Sequence, residues 1–310
     1  MAKRKPSQRT LANLRADFLA KREAILKKKV NSLQGKLFEK VFDQYLLALE
    51  QSDGKLVSSN RNVDMTKGLD RIYKLFQQQD NVPVVQNFIT DMNGIHDLNV
   101  KYFENISKEG VRASKDKVKA AMNKQLGLEE NGNVKQGGFT DKFLRDESTL
   151  KKIKKLTNKA LTKGQSFQDF RQDLKKFITG GAEGQGALQQ YYRNYAYDTY
   201  QKVDRLQGQA FGKALGMRYF IYQGGLIKTS RPFCVHYNGR IVDSIAFSQL
   251  TKDSLPEDQQ NGIPDDWTPL TDLGGYGCRH SIDWITDDTA QRNQEKFNQK
   301  ANERKQAFNK

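Results

Sequence analysis

The chain has 310 residues, 52 Lys+Arg against 36 Asp+Glu, a formal charge of +16, 36% hydrophobic residues and a mean hydropathy of -0.80. That is polar for a chain long enough to make two domains, yet 10% aromatic residues supply enough buried area to offset ordering entropy, which excludes a wholly disordered chain. No apolar run approaches the roughly 18 residues that cross a bilayer, and residues 1–9 are basic with no apolar segment behind them, so neither a membrane span nor a signal peptide is expected.

Leu11, Leu14, Phe18, Ile25, Leu26, Val30, Leu33, Leu37, Val41 and Tyr45 recur in helical steps and predict one long helix with its lysines on the opposite side. A second helix is predicted over 64–79 with Leu69, Ile72, Tyr73 and Phe76 inward. Pro83 fits the first turn of a third, which runs to about residue 106, and 127–138 (GLEENGNVKQGG) reads as a loop. Helical spacing resumes near Ser148, and Ser166 with Asp169 makes a capping pattern ahead of Phe167, Phe170, Leu174 and Phe177. The glycine-rich run 180–186 has no strand before it and no GxxxxGK[ST], so it reads as a hinge rather than a phosphate loop. Residues 187–215 then read as one helix carrying Tyr191, Tyr192, Tyr195, Tyr197 and Tyr200, placed there as packing residues.

No strand pattern precedes residue 216. Beyond it, 217–227 alternates aromatic and β-branched residues, 239–242 is short and extended, and 280–285 alternates again, which gives two or three short strands. Residues 288–310 form a polar tail with the character of a frayed helix. The expected class is mainly α with a small α+β C-terminal module. Residues 1–186 form a basic, extended helical region, 187–286 the module, and 287–310 a basic tail.

The charge follows the same division. Residues 1–40 carry a net +9, 108–160 a net +7 and 289–310 a net +4, whereas 231–286 carry a net -4. Such a field favours a polyanion, and the candidate DNA contacts are Lys3, Arg4, Lys5, Lys27, Lys28, Lys29, Lys151, Lys152, Lys154 and Lys155. His96 stands alone in an Asn/Asp-rich stretch and reads as structural.

Both cysteines and two of the three histidines fall in two matching triplets, Cys234-Val235-His236 and Cys278-Arg279-His280. Three uses stay open. Cys234, His236, Cys278 and His280 could ligate a structural zinc, since thiolate and imidazole from two distant loops would staple a module with little core. Cys234 and Cys278 could form a disulfide, or all four could simply pack. A fourth use is catalysis, with Cys234 as nucleophile, His280 as base and Asp283 or Asp272 orienting it. Cys234 precedes an expected strand rather than opening a helix, which argues against an activated thiol there.

Thr229-Ser230-Arg231-Pro232-Phe233-Cys234, then Gly239-Arg240-Ile241-Val242, then Gly274-Gly275-Tyr276-Gly277-Cys278-Arg279-His280 resemble the C-terminal signature of the phage Mu protein F-like family of minor head proteins. Where many members carry Cys-x-x-Cys this chain has only Cys234, and where they carry His-Pro it has Tyr276-Gly277. The resemblance spans about residues 187–286. It implies a low-copy structural virion protein of a tailed bacteriophage, associated with the portal protein, head proteins and internal double-stranded DNA. Its implied work is head morphogenesis and DNA packaging or ejection, in the virion and, during assembly, the host cytoplasm. A cysteine-dependent hydrolase using Cys234 and His280 is the alternative.

Overall fold

The computed structural model describes residues 6–182, 184–193, 196 and 198–308. The candidates Lys3, Arg4 and Lys5, together with Glu183, Tyr195 and Tyr197, lie outside the described residues. The chain is mainly helical, with a few small antiparallel sheets. Its helices are α1 (Gln8–Phe38), α2 (Asn60–Phe76), α3 (Val82–Glu104), α4 (Lys108–Leu126), α5 (Phe139–Leu144), α6 (Glu147–Lys163) and α7 (Phe167–Thr179). They continue as α8 (Ala187–Tyr192), α9 (Asp198–Ala214), α10 (Pro232–Tyr237), α11 (Ser244–Ser248), α12 (Pro269–Asp272) and α13 (Asp287–Phe308).

Two hairpins of two-residue strands precede residue 216, where no strand was expected: β1 (Gln51–Ser52) with β2 (Lys55–Leu56), and β3 (Gly180–Gly181) with β4 (Gly184–Gln185). Strands this short leave no alternation to detect. The expected strands are β5 (Tyr219–Gln223), β6 (Ile241–Asp243) and β7 (Ser281–Ile285), which form one antiparallel sheet in the order β6-β5-β7.

Contacts divide the chain into two compact units. The first takes the described residues up to 21, then 92–125, then those from 198 onward; the second takes 22–91 and 126–197. The composition boundaries at 186/187 and 286/287 therefore each fall inside a unit.

In the first unit, Phe220 and Tyr222 of β5 stand opposite Trp284 and Ile282 of β7. They enter a core with Leu11, Tyr102, Phe103, Phe211, Phe233 and Phe247. Tyr219 and Ile221, the alternate residues of β5, pack with Ile241, Ile285, Ala290 and Phe297. That second cluster explains why the polar tail is a regular helix: Ala290, Phe297 and Ala301 anchor α13, and Thr286 caps it by accepting from the Thr289 amide at 3.3 Å. On α9, Gly208 and Gly212 form a notch one helical turn long that receives the Trp284 ring.

In the second unit, aromatic rings make the core: Phe42 lies 5.4 Å from both Phe38 and Phe167, and Phe143 lies 4.7 Å from Tyr192. Asp146 caps α6 through the Ser148 and Thr149 amides, and Ser166 caps α7 through the Asp169 amide at 3.1 Å. The inward residues differ in detail from the expected ones. On α1, whose residues up to 21 belong to the first unit and the rest to the second, Leu14 is 48% exposed, and the buried line runs Leu11, Arg15, Leu19, Glu23, Leu26, Val30, Leu33, Leu37. Two of its members are charged, so a search for apolar spacing steps off that line onto Leu14. Likewise Ile178, not Phe177, is the fully buried end of α7.

Candidate sulfur centre

The two triplets meet. Cys234 Sγ and Cys278 Sγ are 3.9 Å apart, Cys278 Sγ is 3.7 Å from His280 Nδ1, and one ligand atom from each of the three residues lies within 4.8 Å of the others. Tyr222 closes the group, its hydroxyl 3.4 Å from Cys234 Sγ and 3.8 Å from Cys278 Sγ. All four side chains are buried.

Each position has a local cause. Pro232 at the first turn of α10 fixes the entry of the chain, and Cys234 sits in that turn, which corrects the expectation that it leads into a strand. His236 is the residue that does not join. Within a helix, residues two apart point to opposite sides, so His236 leaves the thiols and packs edge-on against Tyr237 at 4.8 Å. Cys278 and His280 lie instead in the non-helical lead-in to β7, where residues two apart return to one side. The same triplet therefore gives two ligands in one place and one in the other.

Close approach is enforced by Gly274, where a Cβ would lie 2.2 Å from Cys234 Sγ. The turn after it is held by Arg231, whose guanidinium donates to Gly274 O at 2.8 Å. Arg205 of α9, buried, donates to Thr271 O at 2.9 Å, Cys278 O at 2.7 Å and His280 O at 3.0 Å. Arg231 stands in the stretch that carries the resemblance, whereas Arg205 carries no local sequence signal, because the carbonyls it holds are supplied by residues 66 to 75 positions away. Tyr222 was legible only as one member of an alternating strand.

The hydrogen bond between the two thiols acts on them in opposite directions. The hydrogen bond from Cys234, followed by His280 and the charge of Arg205, draws the Cys278 thiol well below its ordinary range. That same bond and burial push Cys234 up. Burial, then the two sulfurs, hold the Tyr222 hydroxyl well above the ordinary phenol range.

A disulfide is not formed: both cysteines are free, and 3.9 Å is far beyond a sulfur–sulfur bond of about 2.05 Å. The donors suit a tetrahedral metal, because a metal–thiolate length of about 2.3 Å puts two sulfurs about 3.8 Å apart. Cys234, Cys278 and His280 Nδ1 would be the ligands. The catalytic arrangement is not assembled. His280 Nδ1 faces Cys278 rather than Cys234, and its buried Nε2 has no hydrogen-bond partner. Asp283 binds Arg15 at 2.5 Å, and Asp272 pairs with Lys202 at 2.8 Å.

The described lysine candidates all lie in the second unit. Lys27 pairs with Glu23 at 2.8 Å, Lys151 with Glu147 at 3.4 Å and Lys154 with Asp70 at 2.6 Å, while Lys28, Lys152 and Lys155 are exposed and Lys29 is half-buried. Among the described residues, no helix is long and apolar enough to cross a membrane. No protein-family model, curated protein or solved structure matches the chain.

Proposed function

We propose that the chain is a structural minor head protein of a tailed bacteriophage, of the Mu protein F-like kind. It works beside the portal and internal DNA in head morphogenesis and in packaging or ejection. One observation carries this reading: two of the stretches that hold the signature, 229–234 and 274–280, meet at a single buried sulfur centre, and the third, 239–242, pairs with β5, whose Tyr222 closes that centre. In this reading Cys234, Cys278 and His280 hold a structural zinc. When bound it would supply the cross-link that the long, polar stretch between the cysteines does not supply for itself. Burial of both thiols favours a structural over a nucleophilic role.

The basic helices give the DNA half of the reading. Binding to duplex DNA should weaken steeply between about 50 and 200 mM salt, as expected when several phosphates are neutralised; a flat response refutes that half. Absence from purified particles refutes the virion half. Metal analysis of the native protein should find close to one zinc per chain, with both thiols slow to react with iodoacetamide until a chelator is added. Metal-free protein with slow thiols would leave packing alone, and one fast thiol would favour the hydrolase.

A further inference from the structure

We propose that a groove in the second unit, running beside α7, the β3–β4 hairpin and the start of α8, binds a single strand of nucleic acid. This deepens the nucleic-acid half of the reading above and rests on it, but not on the particle half.

Three adjoining cavities of about 460, 280 and 410 Å³ form the groove. The first two share Phe177 and Gln190, and the second and third share Lys176 and Gly181, so the three lie side by side. Positive charge occurs along its whole length: Lys142 and Lys152 in the first cavity, Lys176 in the second, Lys175 and Lys176 in the third. Among the described residues, the acids at its wall are Asp146 and Glu147, and both are engaged. Asp146 accepts from the Ser148 and Thr149 amides and from the Tyr73 hydroxyl, and Glu147 pairs with Lys151. Arg145, also at the wall, is paired with Asp141 at 2.9 Å.

Two aromatic side chains, Phe177 and Tyr191, line the same groove and are only half-buried; one face of Tyr191 stacks on Phe143 at 5.9 Å and its hydroxyl donates to Lys142 O at 2.7 Å. Cations interleaved with part-exposed aromatic rings in a concave track form the surface on which unstacked bases rest while phosphates are neutralised. A duplex presents its bases edge-on and stacked, so it could not use these rings. The hairpin adds a second observation. Gly180 is required by its own turn, with φ 79° and a Cβ that would lie 2.6 Å from the Gly186 amide. Gly181 and Gly184 are not: a Cβ at either would meet nothing within 4 Å, and neither has a positive φ. Glycine at those two positions leaves bare backbone at the groove, where a strand can approach closely.

The test uses the full chain and fluorescence anisotropy with a poly-dT oligonucleotide of about 15 nucleotides and a duplex of the same length. Wild type should favour the single strand. The double variant K175E/K176E should lose at least about tenfold of that affinity, and Phe177→Leu, which keeps the apolar bulk and removes the ring, about fivefold. K213A/K228A, two exposed lysines outside both the basic runs and the groove, should stay within about twofold, and circular dichroism melts would show that every variant is folded. If wild type binds neither oligonucleotide, the nucleic-acid reading fails and this proposal with it. If it binds but the groove variants match wild type, the groove is overturned and the broader reading survives. Tighter binding of duplex than of single strand, lost in the groove variants, also overturns the proposal, since the occupant would then be duplex.

Discussion

Arg15→Ala is the most informative substitution for the first unit. The Arg15 guanidinium is 2% exposed and donates to Asn99 Oδ1 at 3.2 Å, Ile282 O at 3.1 Å and Asp283 Oδ1 at 2.5 Å, with Asp204 Oδ1 at 3.3 Å. Its face covers the Tyr102 ring at 4.9 Å. Truncation strands two carboxylates, 2% and 6% exposed, without their cation. Breaking a buried pair in this way costs about 3–5 kcal/mol. The loss should depend on pH with a definite sign. Burial already raises the Asp283 pKa, and Arg15 acts against that rise. Without Arg15 the folded-state value climbs further above 3.8, so the variant is least penalised in acid and loses stability as pH rises through the folded value. Urea unfolding followed by tryptophan fluorescence reports this unit alone, because Trp267 and Trp284 both belong to it. A loss under about 1 kcal/mol at neutral pH, or one that fails to shrink toward pH 5, would refute the argument.

Gly212→Ala should cost about 1–3 kcal/mol, because the new methyl would sit 2.6 Å from the Trp284 ring. Gly225→Ala, which meets nothing within 4 Å, should stay within about 0.5 kcal/mol in the same urea assay. His96 is 7% exposed, and its Nδ1 is 2.9 Å from Gln207 Oε1; burial first of all holds its pKa below 6.5. Its contribution to stability is therefore complete above 6.5 and declines as pH falls through the folded value. His96→Gln should flatten the thermal-melt profile between about pH 7 and pH 5, and an unchanged profile would assign the acid sensitivity elsewhere.

The three-stranded sheet was legible because alternation is a local property: Phe220 and Tyr222 announce one face of β5 wherever the strand comes to lie. The pairing of Cys234 with Cys278 was legible as a coincidence of spacing, but the identity of the histidine was not. That choice depended on whether each triplet is helical, which a six-residue helix led by Pro232 decides. Arg15 was hidden for the opposite reason. A charged residue on the inner line of a helix looks like a break in the pattern until partners 84 and 268 positions away are in place. The groove along α7 was invisible to sequence reading for the same reason, as its lysines are unremarkable until the hairpin places glycine beside them.

That long reach has a consequence for synthesis. Every residue of the second unit has been added by position 197, well before the chain ends, so it can close while translation continues. The first unit must wait: Arg15, made among the earliest residues, finds Ile282 and Asp283 only when β7 emerges near the end of the chain. Until then Arg15 has only Asp204 of its two carboxylate partners, and chaperone dependence should concentrate on this unit.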